Sequence, residues 1–111
     1  MKRDYDMMVQ SCEDEITGMC ESLGLLPTEK RAPSVPAKAI RICKAALSDK
    51  AFLNSRIQLK SIQIASIYIA AQDEHAKVNQ YDLAYKFRIS PMTIRKVYHR
   101  ISRIIKKKVV G

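Results

Sequence analysis

Leu59-Lys60-Ser61-Ile62-Gln63-Ile64-Ala65-Ser66-Ile67-Tyr68-Ile69-Ala70-Ala71 is apolar or small nearly all the way round a helical wheel. A helix with no polar face has to be surrounded by other elements, so this stretch predicts the central helix of a bundle. Its β-branched isoleucines alone would also suit a strand. The length of the run and its alanines favour the helix. Small side chains at Ala65, Ser66, Ala70 and Ala71 let neighbouring helices approach closely.

Working outward toward the amino terminus, Tyr5, Met8, Val9, Cys12, Ile16, Met19, Cys20 and Leu23 recur at three- and four-residue steps. They predict an amphipathic first helix whose wet side carries Asp4, Asp6, Glu13, Asp14 and Glu15. Gly24 and Pro27 end it, followed by a polar, proline-bearing connector to Pro36. A second helix is expected to begin near Ser34 with Pro36 in its first turn, where a missing N–H costs nothing. It carries Ala39, Ile40, Cys43, Ala46 and Leu47 inward and ends around Asp49–Asn54.

On the carboxy-terminal side, Asp73-Glu74-His75-Ala76-Lys77 is a polar break. Asn79 can cap a short fourth helix with Leu83, Ala84 and Phe87 facing inward. Phe87-Arg88-Ile89 forms a tight turn into Ser90, whose hydroxyl caps a fifth helix with Pro91 at its first position. Short helix, tight turn and longer helix make a helix-turn-helix over about residues 79–106. The expected fold is therefore all-α, a five-helix bundle built around its central apolar helix, a single domain over 1–111 with a basic tail at 106–111.

The fifth helix has two faces. Ile94, Val97, Tyr98, Ile101, Ile104 and Ile105 make one apolar stripe, and Tyr98, like Tyr68, is assigned to core packing. Met92, Arg95, Lys96, His99, Arg103 and Lys106 follow the same steps on another face. From Lys86 to Lys108 there are nine Lys or Arg and no Asp or Glu. One side can anchor in a core while the other presents cations, the layout of a helix that lies against nucleic acid.

The charge totals point the same way. The chain has 20 basic and 11 acidic residues, a formal net charge of +9. Residues 1–30 are net acidic, and the positive excess is carried by residues 31–111. Such a field attracts polyanions. Cys12, Cys20 and Cys43 are odd in number and lack Cys-x-x-Cys spacing, and His75 and His99 lie far from them in sequence. Neither a zinc site nor a disulfide framework is expected, and no cofactor; the cysteines are read as buried small hydrophobes in a reducing interior. No signal-like run opens the chain, and no apolar stretch approaches the ~20 residues that span a bilayer. An intracellular protein is expected. Paired carboxylates, a nucleophile beside a base and a Gly-rich phosphate loop are all missing from the pattern, so an enzyme is not expected.

Three motifs carry a family resemblance. Ser61–Ala71 resembles the Ala-rich "A-x-x-I-Y-I-A" central helix of the cyclin-like repeat in the transcription factor IIB and archaeal transcription factor B family. Asn79-Gln80-Tyr81-Asp82-Leu83-Ala84 is similar to its "T-Q-x-E-I-A". Ile89-Ser90-Pro91-Met92-Thr93-Ile94-Arg95-Lys96-Val97-Tyr98 is similar to "V-S-x-V-T-I-R-x-x-Y", the most specific of the three. The resemblance covers about Leu59 to Ile105 and implies a cyclin-like fold of the second-repeat type. It further implies that the helix-turn-helix meets double-stranded promoter DNA just upstream of the TATA box. The partners would be TATA-binding protein and, through missing or separate regions, RNA polymerase.

Carried over by position, Met92 and Arg95 would face bases, while Gln80, Ser90 and Thr93 would reach phosphates or base edges. An arginine can bond guanine O6 and N7 together, which makes Arg95 the main candidate. The expected base-contacting set is Met92, Thr93, Arg95 and Lys96. The expected phosphate-contacting set is Gln80, Ser90, His99, Arg100, Arg103 and Lys106, with Lys96 also suited to phosphate. Two departures stand out. Arg56 and Leu59 occupy places where the family often has Gly and Pro, and Arg88 stands where the turn often has Gly. They suggest a divergent paralogue, a viral homologue or a relaxed copy, either excised from a longer factor or standing alone. Its compartment would be cytoplasmic if archaeal, nuclear or host-cell otherwise. The alternative function is a cyclin-like protein-protein adaptor with only non-specific nucleic-acid affinity.

Overall fold

The computed structural model describes residues 5–24, 35–49, 57–74, 76 and 78–110, with side chains from Gln10 onward in the first helix and up to Lys106 in the last. The connector at 25–34, the second helix's start at Ser34, Arg56, His75, the side chains of Tyr5, Met8 and Val9, and those of Lys107 and Lys108 lie outside the described residues. Among the described residues five helices follow one another: α1 (Tyr5–Ser22), α2 (Val35–Leu47), α3 (Leu59–Asp73), α4 (Gln80–Phe87) and α5 (Pro91–Val110). No strand occurs among the described residues.

Several of the boundaries have a local cause. Gly24 sits at φ +71°, the left-handed conformation that closes a helix, and its N–H donates to the Glu21 carbonyl at 3.1 Å. α2 carries Pro36 in its first turn and stops at Leu47, short of the expected end around Asp49–Asn54, of which 50–54 lie outside the described residues, and Asp49 N–H turns back to Ala46 at 3.1 Å. Asn79 Oδ1 accepts the Asp82 N–H at 2.8 Å and caps α4. Ser90 Oγ accepts the Met92 N–H at 3.1 Å and caps α5, with Pro91 as its first residue. α5 runs to Val110, so the backbone of the basic stretch from 106 is helical.

α3 packs against all four other helices, as its all-round apolarity requires. Ten of its fifteen residues are buried, including Ile62, Ile64, Ile67 and Ile69. The larger core joins it to Cys12, Ile16 and Cys20 of α1, Ala39, Cys43 and Leu47 of α2, and Val97 and Ile101 of α5. A second core of Ile64, Leu83, Ala84 and Ile94, flanked by Phe87 and Ile89, fastens the helix-turn-helix to α3. Each isoleucine removed from water contributes roughly 1.5–3 kcal/mol, so these few contacts fix where α5 lies. Tyr68 and Tyr98 are half-buried and meet edge-on with ring centroids 5.5 Å apart.

The interior also holds a polar group that the chain's pattern conceals. Gln63 is fully buried; its Nε2 donates to Cys12 Sγ at 3.4 Å and its Oε1 has no partner. Cys43 donates to Cys12 Sγ at 3.4 Å, and Cys12, Cys20 and Cys43 are all free buried thiols. That hydrogen bond lowers the Cys12 thiol to about 7 and, with burial, pushes Cys43 up. Cys20 is pushed up to about 11 by burial alone.

Candidate nucleic-acid interface

Because Ile94, Val97 and Ile101 are buried, the opposite arc of α5 has to face outward. At about 100° per residue, Met92, His99 and Arg103 lie along the middle of that arc. Lys96 and Arg100 lie on one flank with Thr93 at its edge; Arg95 and Lys106 lie on the other. Met92 is 65% exposed, and Arg95, Lys96, His99, Arg100, Arg103 and Lys106 are exposed as well. The His99 ring stands edge-on to Tyr98 at 5.3 Å, which orients it without burying it.

Four cations of this arc meet no acidic partner among the described residues. Glu13 of α1 pairs with Lys44 of α2 at 2.7 Å, and Asp73 and Glu74 at the end of α3 hold Lys38 at 3.7 Å each. Among the described residues, Arg95, Lys96, Arg103 and Lys106 have no carboxylate within 4 Å. Exposed pairs such as Lys38–Asp73 add little stability, but they show where the negative charge resides.

The two flanks differ in what borders them. The flank of Lys96 and Arg100 looks into an open groove of about 810 Å³ between α5 and the start of α3. Gln58 and Ser61 form its far wall, Thr93, Lys96, His99, Arg100 and Arg103 its near wall, and Arg88 with Ser90 its end. The groove thus gathers Ser90, Thr93, Lys96, His99, Arg100 and Arg103 of the expected residues and leaves Met92, Arg95 and Lys106 on the outer arc. Gln80 lies apart from both, half-buried at the first position of α4. Ser90 is already engaged by the Met92 N–H.

Several residues at this end of the molecule lie outside the expected set. Gln58, Ser61 and Arg88 line the groove without having been expected there. Tyr81 and Tyr85 are 62% and 89% exposed on the outer side of α4. Their four-residue spacing, off the Leu83–Ala84–Phe87 face, was a readable signal for outward aromatics. Arg88 occupies the left-handed region at φ 56° and ψ 47°, so this turn keeps the conformation that glycine usually supplies.

Four helices around an apolar fifth, closed by a capped helix-turn-helix, define an all-α repeat of the cyclin-like kind. The family model of the transcription factor TFIIB repeat matches residues 5–104, and the chain belongs to that family. The match extends the likeness over α1 and α2, whose sequences carried no motif. No characterised protein sequence and no solved structure matches the chain. Among the described residues no helix is long and apolar enough to cross a membrane.

Proposed function

We propose that this TFIIB repeat is a promoter-DNA-binding module of a basal transcription initiation factor, reading double-stranded DNA near the TATA box through α5. Arg95 would bond a guanine edge, with Met92, Thr93 and Lys96 beside it. Ser90, Gln80, His99, Arg100, Arg103 and Lys106 would engage the backbone. TATA-binding protein and RNA polymerase would be its partners in the assembly. The observation that carries this reading is the exposed arc of α5, in which Arg95, Lys96, Arg103 and Lys106 meet no carboxylate among the described residues. An unneutralised cationic helix face on a packed scaffold is what a major groove accepts.

The test is Arg95→Ala in a gel-shift titration against a promoter duplex and a scrambled duplex at several salt concentrations. Loss of a bidentate guanine contact costs about 1–3 kcal/mol, an affinity loss of about 5- to 150-fold confined to duplexes carrying the cognate base pair. Equal affinity of wild type and variant for both duplexes at every salt concentration refutes base reading by Arg95. A second reading, a protein-docking adaptor, is favoured by Tyr81 and Tyr85, two exposed tyrosines one turn apart. In that case DNA affinity would be weak and sequence-blind.

A further inference from the structure

The groove between α3 and α5 holds chemistry that the outer arc does not. Ser61 is only 4% exposed, yet it lines the groove and its hydroxyl has no hydrogen-bond partner among the described residues. A buried helical serine ordinarily turns its hydroxyl back to the carbonyl four residues earlier, as Ser66 does to Ile62 at 2.7 Å. Gln58 is the N-cap of α3 but its carboxamide makes no cap bond to that helix. Ser61 and Ile62 N–H both donate to the Gln58 carbonyl, and the first-turn N–H groups of Leu59 and Lys60 have no backbone partner among the described residues. Across the groove, Thr93 adds a second hydroxyl, and Lys96 and Arg103 add positive charge.

Donors and cations therefore converge from two helices that are distant in sequence, and among the described residues no carboxylate lines the space. This is the donor set of an anion site. The near wall follows α5 from Thr93 to Arg103, about 15 Å at 1.5 Å per residue. That length suits a phosphodiester chain better than a single ion. We propose that the groove is a phosphate track, holding one strand's backbone of the same DNA that α5 engages, on the flank of α5 opposite Arg95. The inference rests on the DNA-binding reading above and adds α3 to the contact surface. Ser61 and Gln58 bind phosphate oxygens there, with Lys96 and Arg103 neutralising them.

The test follows backbone amide resonances of the full chain through two titrations, one with a promoter duplex and one with inorganic phosphate. With duplex, the amides of Leu59, Lys60 and Ser61 shift along with those of Met92 and Arg95. Ser61→Ala weakens duplex binding about 3- to 10-fold, the worth of one hydrogen bond, and leaves the melting midpoint in place. Arg103→Gln reduces the slope of log affinity against log salt by about 1. Shifts at Met92 and Arg95 with none at Leu59–Ser61 overturn the track while the DNA-binding reading stands. Absence of duplex binding overturns both. Saturable shifts with inorganic phosphate but none with duplex make the groove a free-anion pocket and also overturn the track.

Discussion

Arg88→Gly should make the protein more stable while removing a charge, and the two effects can be separated. Arg88 sits at φ 56° and ψ 47° between α4 and α5, its N–H bonded to the Ala84 carbonyl and the following Ile89 N–H to the same carbonyl at 3.0 Å. The turn is fixed by those bonds and by the half-buried Ile89, so the residue cannot relax out of the left-handed region. A Cβ there costs about 1–2 kcal/mol, while glycine loses about 0.5–1 kcal/mol of extra chain entropy on folding. Arg88 is exposed, so little packing is forfeited. The net is a gain of about 0.5–1 kcal/mol, a rise of roughly 2–6 °C in the melting midpoint. Arg88→Ala is the control, because it removes the same charge and keeps the strained Cβ. Calorimetry of the two variants isolates the backbone contribution. If Arg88→Gly melts no higher than Arg88→Ala, the turn carries no conformational strain and the reasoning is wrong.

Gln63→Met should stabilise the protein by about 1–2 kcal/mol, because an unpartnered buried acceptor is replaced by an apolar chain of similar shape. A lower denaturant midpoint in the variant would show instead that the Cys12–Gln63 contact outweighs the orphaned oxygen. Asn79→Ala should cost about 1 kcal/mol, and Asn79→Gly only a few tenths, since glycine tolerates the cap backbone. Equal losses would mean that the 2.8 Å cap bond does not hold α4. The Cys20 thiol, pushed up to about 11, keeps its proton in the folded state where an unfolded thiol gives it up near its ordinary value of about 8.5. The folded pKa is the higher one, so this contribution is complete below about pH 8.5 and is lost as pH rises toward 11. Urea midpoints at pH 7 and pH 9.5 should therefore differ less in Cys20→Ala than in wild type.

What the sequence discloses about this fold is what depends on neighbours in the chain. The capping roles of Asn79 and Ser90, Pro91 at a first helical position and Gly24 beyond a last one are local chemistry, and all are seen. The centrality of α3 is also legible, because a helix apolar on every side has one physical solution. Gln63 and Ser61 were hidden by that same pattern. In a helix buried all round, a lone polar residue looks like dilution of the apolar run, and whether it is paired depends on Cys12 and Cys43 in other helices. The groove was hidden for a related reason. Thr93, Lys96 and Arg100 can be assigned to one flank from helical period alone, but nothing in their spacing says that Gln58 and Ser61, more than 30 residues earlier, form the opposite wall. The exposed Tyr81 and Tyr85 were legible in principle, because their four-residue spacing sets them off the Leu83–Ala84–Phe87 face.

The division of the α5 arc also bears on which residues can read sequence. An α-helix with its side chains is about 10–12 Å across, and the major groove of B-DNA is about 12 Å wide, so a helix seated there points only the middle of its exposed arc at the floor. Met92, His99 and Arg103 occupy that middle, while Arg95 and Lys96 diverge from each other by about 100°. A rigid seating therefore cannot turn both cations fully toward base edges. Tilting the helix to bring Arg95 to a guanine moves Lys96 toward the opposite backbone, the side on which the α3 groove lies. Tilting it the other way moves Arg95 onto phosphate and leaves Met92 as the nearest group to the floor, fit for a thymine methyl but not for guanine. The two seatings differ in one measurable respect. In the first, loss of Arg95 discriminates between duplexes; in the second, it weakens all of them alike and reduces the salt dependence.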